Sequence, residues 1–568
     1  MLAGLSYLLA ATWMRWGDLF IDTPKEFWLP EQLISGRLLY RDVVYFYGFL
    51  APYLQAFFYL VFGVSVYALV WMGIMVTGLA AMAVYRVSRL FLDGWPSVLA
   101  VLSFLFVFAF GYYRVPAAIF NFIVPYTYAS TLFAVSIYWS LYFFIRHAYN
   151  GRPGNLCAWA VCLTLAFWCR PEMSLAVWLG FVGVGRLNKR PWSWLVLPLL
   201  LGLAGYLVFL AAGRAGTGFY ESVLLTIKTL GSPQNIFTRN NAGFNAYGLK
   251  LTFISLFFQA AVFGLFGLAA VYLGRPQALG IARPVFMAAV FIAAAAGLCF
   301  YFPRGCLGQY RLVSFIAPLG VWFYARRFIL AKDPKRDFGL LSLHAVSLSL
   351  ILRIPFNVLP YGLGFFLAVP GLICYCLLFL ETIPQALSRR WPRAGGFFKT
   401  LAAAFIVLAG VFQWRVSLDM YRLKNVSVAT PRGSFYARRD DQTFCFLRAL
   451  EYLEKTAPAG SSLVTIPEGA GLNFFSGRPN PLRRFAFLPN DLEALGDAAL
   501  TKEFAAARVD YIVVAGIPTG ELGPRAFGID YGRTLYSWIE EHYSLDAQFG
   551  PRPFSTSGFG LAVFKRRP

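Results

Sequence analysis

The chain has 568 residues, of which 58% are hydrophobic, 18% aromatic and only 14% charged, with a formal net charge of +23. A soluble domain carries about 25% charged residues, so this composition, with a mean hydropathy of +0.60, excludes an ordinary globular protein. The charge is not a nucleic-acid signal either: from Asp419 onward there are 18 Lys/Arg against 16 Asp/Glu, and the other 32 basic residues gather in alternate short loops, the pattern of a membrane protein's cytoplasmic side.

In chain order, apolar runs predict a polytopic all-α membrane region over 1–416 with about 13 transmembrane helices. They lie at 1–16, 66–85, 96–112, 128–146, 155–169, 171–185, 193–212, 250–273, 285–302, 312–325, 339–357, 362–380 and 400–416. Such lengths match roughly 30 Å of hydrocarbon at about 1.5 Å per helical residue. The first run lacks a basic leader and a small-residue cleavage site before Trp13, and reads as a short helix rather than a signal peptide. An outer segment follows at 17–65, ending in an interfacial helix from Pro52 to Phe62. A second long outer connection, 213–249, contains Tyr220, Glu221, Asn235 and Arg239; long ordered loops are commonly functional, and this one is expected to cover the site.

Residues 417–568 change character. Helix signals at Asp440–Lys455, Asp491–Ala507 and Thr534–His542 alternate with strand signals at Ser462–Ile466 and Tyr511–Ala515, which predicts a small α/β soluble domain. Of eight cysteines only Cys445 lies there, so no disulfide framework is expected. Glycines 469, 471 and 477 form no phosphate-binding pattern. Eighteen basic residues fall in six alternate loops, from Arg86 and Arg89 to Arg389, Arg390, Arg393 and Lys399. Positive-inside bias then puts the N-terminus in the cytoplasm and the tail in the periplasm or its extracytoplasmic equivalent, in a multi-pass inner-membrane protein.

The acidic residues give the functional clue. The first 418 residues hold 11, and five of them, Asp18, Asp22, Glu26, Glu31 and Asp42, share the first outer segment. Thr23, Pro24, Lys25 and Glu26 read as a capping box with proline at the first helical turn, which makes Glu26 a helix cap. Glu31 reads as solvated, and Asp18 as the interfacial end of the first helix. Asp22 lies at the mouth of the membrane on a stretch fixed by the helix start, the position a general base requires.

Asp22 to Glu26, Pro30, then Gly36, Tyr40, Asp42, Tyr45, Tyr47, Gly48, Pro52, Tyr53 and Phe62-Gly63 form a pattern that resembles GT-C glycosyltransferases, in particular the protein O-mannosyltransferase and aminoarabinose-transferase-like branch. Gln309, Tyr310 and Arg311 with Pro318 are similar to that family's later outer-loop motif. The family often has Asp-Glu in tandem where Asp22 is followed by Thr23, so either Asp18 or Asp22 matches the family's acidic position. The resemblance implies a GT-C-like fold and transfer of a sugar from a polyprenyl-phosphate carrier to an acceptor hydroxyl on the outer face. It implies no metal or other cofactor, and it leaves the acceptor open.

A growing negative charge on the leaving phosphate calls for cations at the ends of outer spans. Arg170, Arg239, Lys250, Arg304, Arg311 and Arg353 are in such places, Arg304 and Arg311 flanking one short loop. The expected binding set is therefore Arg304, Arg311, Tyr310, Arg170, Glu172, Arg239, Lys250, Tyr40 and Asp42, with Asp22 or Asp18 as base. Two other readings fit the same pattern: a transporter or flippase of a lipid-linked glycan, and a non-catalytic scaffold of the same architecture. Charge-free centres of the spans weigh against a transporter.

Overall fold

The computed structural model describes residues 2–114, 121–231, 236–274, 306–555 and 558–568, with Val285 and Ala289. The expected span 285–302 falls almost wholly outside the described residues, as does Arg304. The helices of the first part are α1 (Leu2–Thr12), α2 (Lys25–Ile34), α3 (Leu50–Phe62), α4 (Val66–Ser88), α5 (Gly94–Ser103) and α6 (Tyr128–Asn150). Next come α7 (Pro153–Cys169), α8 (Pro171–Leu187), α9 (Trp192–Gly213), α10 (Gly216–Gly231), α11 (Ile236–Ala242) and α12 (Ala246–Leu273). The set closes with α13 (Val313–Ile329), α14 (Pro334–Ile351), α15 (Phe365–Arg390) and α16 (Ala394–Arg422).

Among the described residues seven helices are long and apolar enough to cross a membrane. The chain is thus a multi-pass membrane protein, and every expected span apart from 285–302 contains a helix among the described residues. Of the expected span 1–16, α1 covers Leu2–Thr12. The bulky apolar run ends there because Met14 and Gly17 take left-handed backbone conformations.

The tail begins with a hairpin, β1 (Lys424–Thr430) against β2 (Gly433–Arg438), that sequence patterning does not reveal. It is stitched to the membrane helices by Tyr436 N to Met14 O (2.9 Å) and Val66 N to Arg432 O (2.9 Å). Then follow α17 (Asp441–Thr456), β3 (Leu463–Ile466), α18 (Ala470–Ser476), α19 (Pro489–Leu495) and α20 (Asp497–Ala507). The chain ends with β4 (Tyr511–Ala515), α21 (Arg533–His542), β5 (Tyr543–Phe549) and β6 (Leu561–Arg566). Gly496, at φ +88, splits the expected single helix 491–507 into α19 and α20. The second sheet has order β3-β4-β6-β5, with β3 parallel to β4 and the remaining pairs antiparallel.

Alternation along the strands buries both faces of that sheet. Val464, Ile512, Val514 and Phe564 pack on one side with Phe504 and Ile539. Leu463, Tyr511 and Val513 pack on the other, in a core continuous with the membrane helices. Phe20 of the first outer segment bridges the two, 5.0 Å from Phe446 of α17 and 5.6 Å from Phe435 of β2. The tail is therefore packed onto the first outer segment, which fixes the site.

Glu26 shows how. It is fully buried, yet it does not close the expected capping box. Its Oε2 accepts from Tyr128 N at 2.9 Å, at the first turn of α6, and from Gln55 Nε2 at 3.3 Å. A buried carboxylate follows the strongest donor set, here the unpaired N–H groups of a helix start. Glu26→Ala should cost roughly 1–3 kcal/mol by orphaning Tyr128 N, and Glu26→Gln, which keeps an acceptor, distinctly less. Thermal unfolding of both variants in detergent checks this.

Candidate active site at the mouth of the first outer segment

The loop from Asp18 to Thr23 is closed at both ends by its own atoms. Thr23 N donates to Asp18 O at 3.0 Å and Asp18 N donates to Thr23 Oγ1 at 3.2 Å. Gly17, at φ +65, permits the turn, and a Cβ there would lie 2.9 Å from Thr23 Oγ1. Asp18 is buried, and its Oδ1 accepts from Phe20 N (3.0 Å) and Ile21 N (3.4 Å). Burial, then the charge of Asp22, pushes its carboxyl up to about 7. Asp18 thus shapes the loop, and Asp22, half-buried at its far end, is what the loop presents.

Asp22 has charged neighbours from two parts of the chain. Lys25 stands one turn along, its Nζ 3.1 Å from the centre of the Tyr126 ring. Burial lowers the Lys25 ammonium, while Asp22, Glu26 and Glu468 support its charge. Glu468 comes from the tail, between β3 and α18, where Gly471 brings the backbone against Phe20 O. Burial and then Asp22 push Glu468 up to about 8. Glu521 is raised in the same way by burial and Asp22, with Arg114 opposing. Burial holds the Tyr126 phenol well above its usual range, and Tyr47, Asp22, Glu468 and Glu521 all add to that. Tyr126 is therefore a neighbour of these carboxylates and of Tyr47.

The raised Glu468 has a stability consequence. From its ordinary 4.5 up to about 8, the folded state holds a proton that the unfolded chain has released, so stability falls as pH rises through that window. Glu468→Gln should remove this fall. The difference in unfolding temperature, variant minus wild type, is expected to grow from pH 5 to pH 8 and then level off; a difference independent of pH would contradict the assignment.

Beyond Tyr47 lies a cationic half-site. Arg170 ends α7 and starts α8, and is almost fully buried. It stacks over Tyr47 at 4.4 Å, and its Nε and Nη1 donate to Glu172 (2.8 Å) and Ser130 (2.5 Å). Gly48 lets the outer segment dock here, its N–H donating to Cys169 O at 2.9 Å. Arg353, half-exposed after α14, approaches the same Glu172 oxygen at 4.0 Å. Two guanidiniums share one carboxylate, leaving a net positive charge.

The other expected residues do not join this cluster. Tyr40 is buried in a left-handed turn, its hydroxyl donating to Tyr47 O at 2.5 Å, so it braces Tyr47 from behind. Asp42 accepts from Leu38 N at 2.9 Å and pairs with Arg41 at 2.8 Å. Tyr310 is packed among Phe108, Phe365 and Tyr375. Arg311 is buried, its Nη1 donating to Gly248 O, Phe356 O and Thr252 Oγ1. Lys250 and Arg239 are exposed. The helix of Arg239, α11, leans on the turn Gly520–Leu522 beside Glu521. The connection 213–249 as a whole grips the tail, through Lys228 Nζ to Ala494 O (3.0 Å) and Glu221 with Arg483 (3.0 Å) and Arg484.

One loop reading is corrected as well. Glu31, expected in water, is clamped by both terminal nitrogens of Arg432 at 2.6 and 2.5 Å. Arg478 is buried and caps the carbonyls of Leu453 and Ala457 at the end of α17. The residues that composition and spacing did not single out are Lys25, Tyr126, Glu468 and Glu521. Among the described residues no three His, Cys, Asp or Glu side chains are grouped to hold a metal ion.

No protein-family model matches the chain, and no curated protein matches it. Solved structures do. The archaeal oligosaccharyltransferase AglB from Archaeoglobus fulgidus, in complex with an inhibitory peptide and a dolichol-phosphate, is 14% identical over 99% of this chain and 74% of its own, with a TM-score of 0.47. ArnT from Cupriavidus metallidurans, bound to undecaprenyl phosphate, is 12% identical over 99% of this chain and 97% of its own, with a TM-score of 0.42. Likeness this distant leaves the chemistry to this chain's own residues.

Proposed function

We propose that the chain is a GT-C-like membrane glycosyltransferase that moves a sugar from a polyprenyl-phosphate carrier to an acceptor hydroxyl on the outer face of the membrane. The observation that carries this reading is the pairing of a half-buried carboxylate, Asp22, with a net-positive arginine half-site across Tyr126 and Tyr47. Asp22 accepts the hydroxyl proton as the acceptor oxygen bonds to the anomeric carbon. The bond from that carbon to the carrier phosphate breaks, and the phosphate leaves with the bonding electrons toward Arg353 and Arg170. Lys25 stands beside Asp22 as a counter-charge, and Glu468, protonated below about 8, adds no second charge beside it. The long connection 213–249 and the tail together roof this site and exclude water.

Reconstitution into vesicles with a panel of polyprenyl-phosphate sugars tests the reading. Acceptor-dependent appearance of free polyprenyl phosphate is expected. Passage of intact carrier across the bilayer without cleavage would make the protein a transporter instead, and neither event would leave a scaffold.

A further inference from the structure

A second basic site lies on a different face of the bundle, where the ends of α1 and α16 meet β1. A cleft of about 380 Å³ is lined by Tyr7, Ala11, Arg15, Leu418, Arg422, Lys424 and Asn425. Its floor is apolar, from Tyr7 and Ala11 of α1 and Leu418 of α16. Its rim is cationic. Arg15 stacks over Tyr436 at 4.4 Å and gives its Nε to Lys424 O at 3.2 Å, which leaves the terminal guanidinium nitrogens directed elsewhere. Arg422 is 70% exposed and shares one edge with Asp419 at 3.5 Å. Lys424 is buried, turned toward Gly17 O and over the Tyr112 ring at 4.6 Å.

The depth of this cleft is marked by aromatic side chains. Trp13 lies 6.2 Å from the exposed Trp71 near the start of α4, and Trp414 packs 6.1 Å from Tyr7. Trp and Tyr with one apolar and one polar end collect where hydrocarbon meets head groups. Arg422 lies eight residues, about two helical turns, beyond Trp414 on the tail side of α16.

We propose that this cleft is a binding site for a phosphate-bearing membrane lipid, its acyl chain along Tyr7, Ala11 and Leu418 and its head-group phosphate between Arg15 and Arg422. The site is separate from the carboxylate and arginine cluster around Tyr126, and stands whether or not Asp22 is a base. It adjoins that cluster only through Lys424, whose neighbour Asp18 closes the loop that presents Asp22. Occupancy would hold the junction of α1, α16 and β1 together from the membrane side.

Equilibrium binding of dioctanoyl phosphatidylglycerol to the full chain in neutral detergent, read by native mass spectrometry, tests this. Arg422→Gln, a substitution at an exposed side chain, should weaken binding about fivefold. Ala11→Trp, which fills the floor, should abolish it, and dioctanoyl phosphatidylcholine should bind at least several-fold more weakly than phosphatidylglycerol. Unfolding temperatures in lipid-free detergent confirm that both variants are folded. Unchanged binding in both variants, or equal binding of the zwitterionic lipid, would overturn the proposal. So would displacement of the lipid by inorganic phosphate at equal phosphate concentration, which would mark a soluble-anion site.

Discussion

Asp22→Asn should lower turnover of a polyprenyl-phosphate sugar by about 10²–10⁴-fold, the range that a positioned general base contributes, while leaving the protein folded. The loop that presents Asp22 is closed by Asp18 and Thr23, and Asn keeps the side chain's shape and one acceptor oxygen while removing its charge. Asp18→Asn makes the contrast. Asp18 accepts from two backbone N–H groups and faces Lys424, and its loss should appear in the unfolding temperature as well as in activity. If Asp18→Asn abolished activity in a protein of wild-type stability while Asp22→Asn did not, the two roles would have to be exchanged.

Arg353→Gln should raise the KM for the carrier about 10- to 100-fold with a smaller effect on kcat, corresponding to the loss of one charge-assisted hydrogen bond to phosphate. The argument is one of charge balance. Arg170 is committed to Glu172, Ser130 and the Tyr47 ring, whereas Arg353 is half-exposed and reaches Glu172 only at 4.0 Å. It is therefore the cation free to meet an incoming anion. Arg170→Gln, by contrast, would remove the buried contact to Ser130 and the close ion pair with Glu172 and should destabilise the fold.

The membrane helices were legible because a bilayer imposes length and composition on every segment that crosses it. The crowding of carboxylates in 17–65 was legible for a related reason: charge is so scarce in the first 418 residues that a concentration of it stands out. The partners were not. Thr23 to Glu26 has the spacing of a capping box, but the side chain of Glu26 goes to Tyr128 N, a donor that only the packing of α6 brings near. Glu468 lies in a glycine-rich stretch of the tail, and nothing local marks it as a neighbour of Asp22. The same holds for Arg478, which looks like a loop residue among prolines and in fact caps the carbonyls of α17. Local rules find elements; contacts between distant segments decide which carboxylates and arginines share a site.

The most direct measurement is a single-turnover experiment with purified wild-type protein and Asp22→Asn, each at the same measured occupancy by a polyprenyl-phosphate sugar, in the presence of acceptor. The expected result is release of free polyprenyl phosphate by the wild type and retention of intact, bound carrier by the variant. Equal rates of carrier cleavage in the two proteins at matched occupancy would contradict the assignment of proton transfer to this carboxylate.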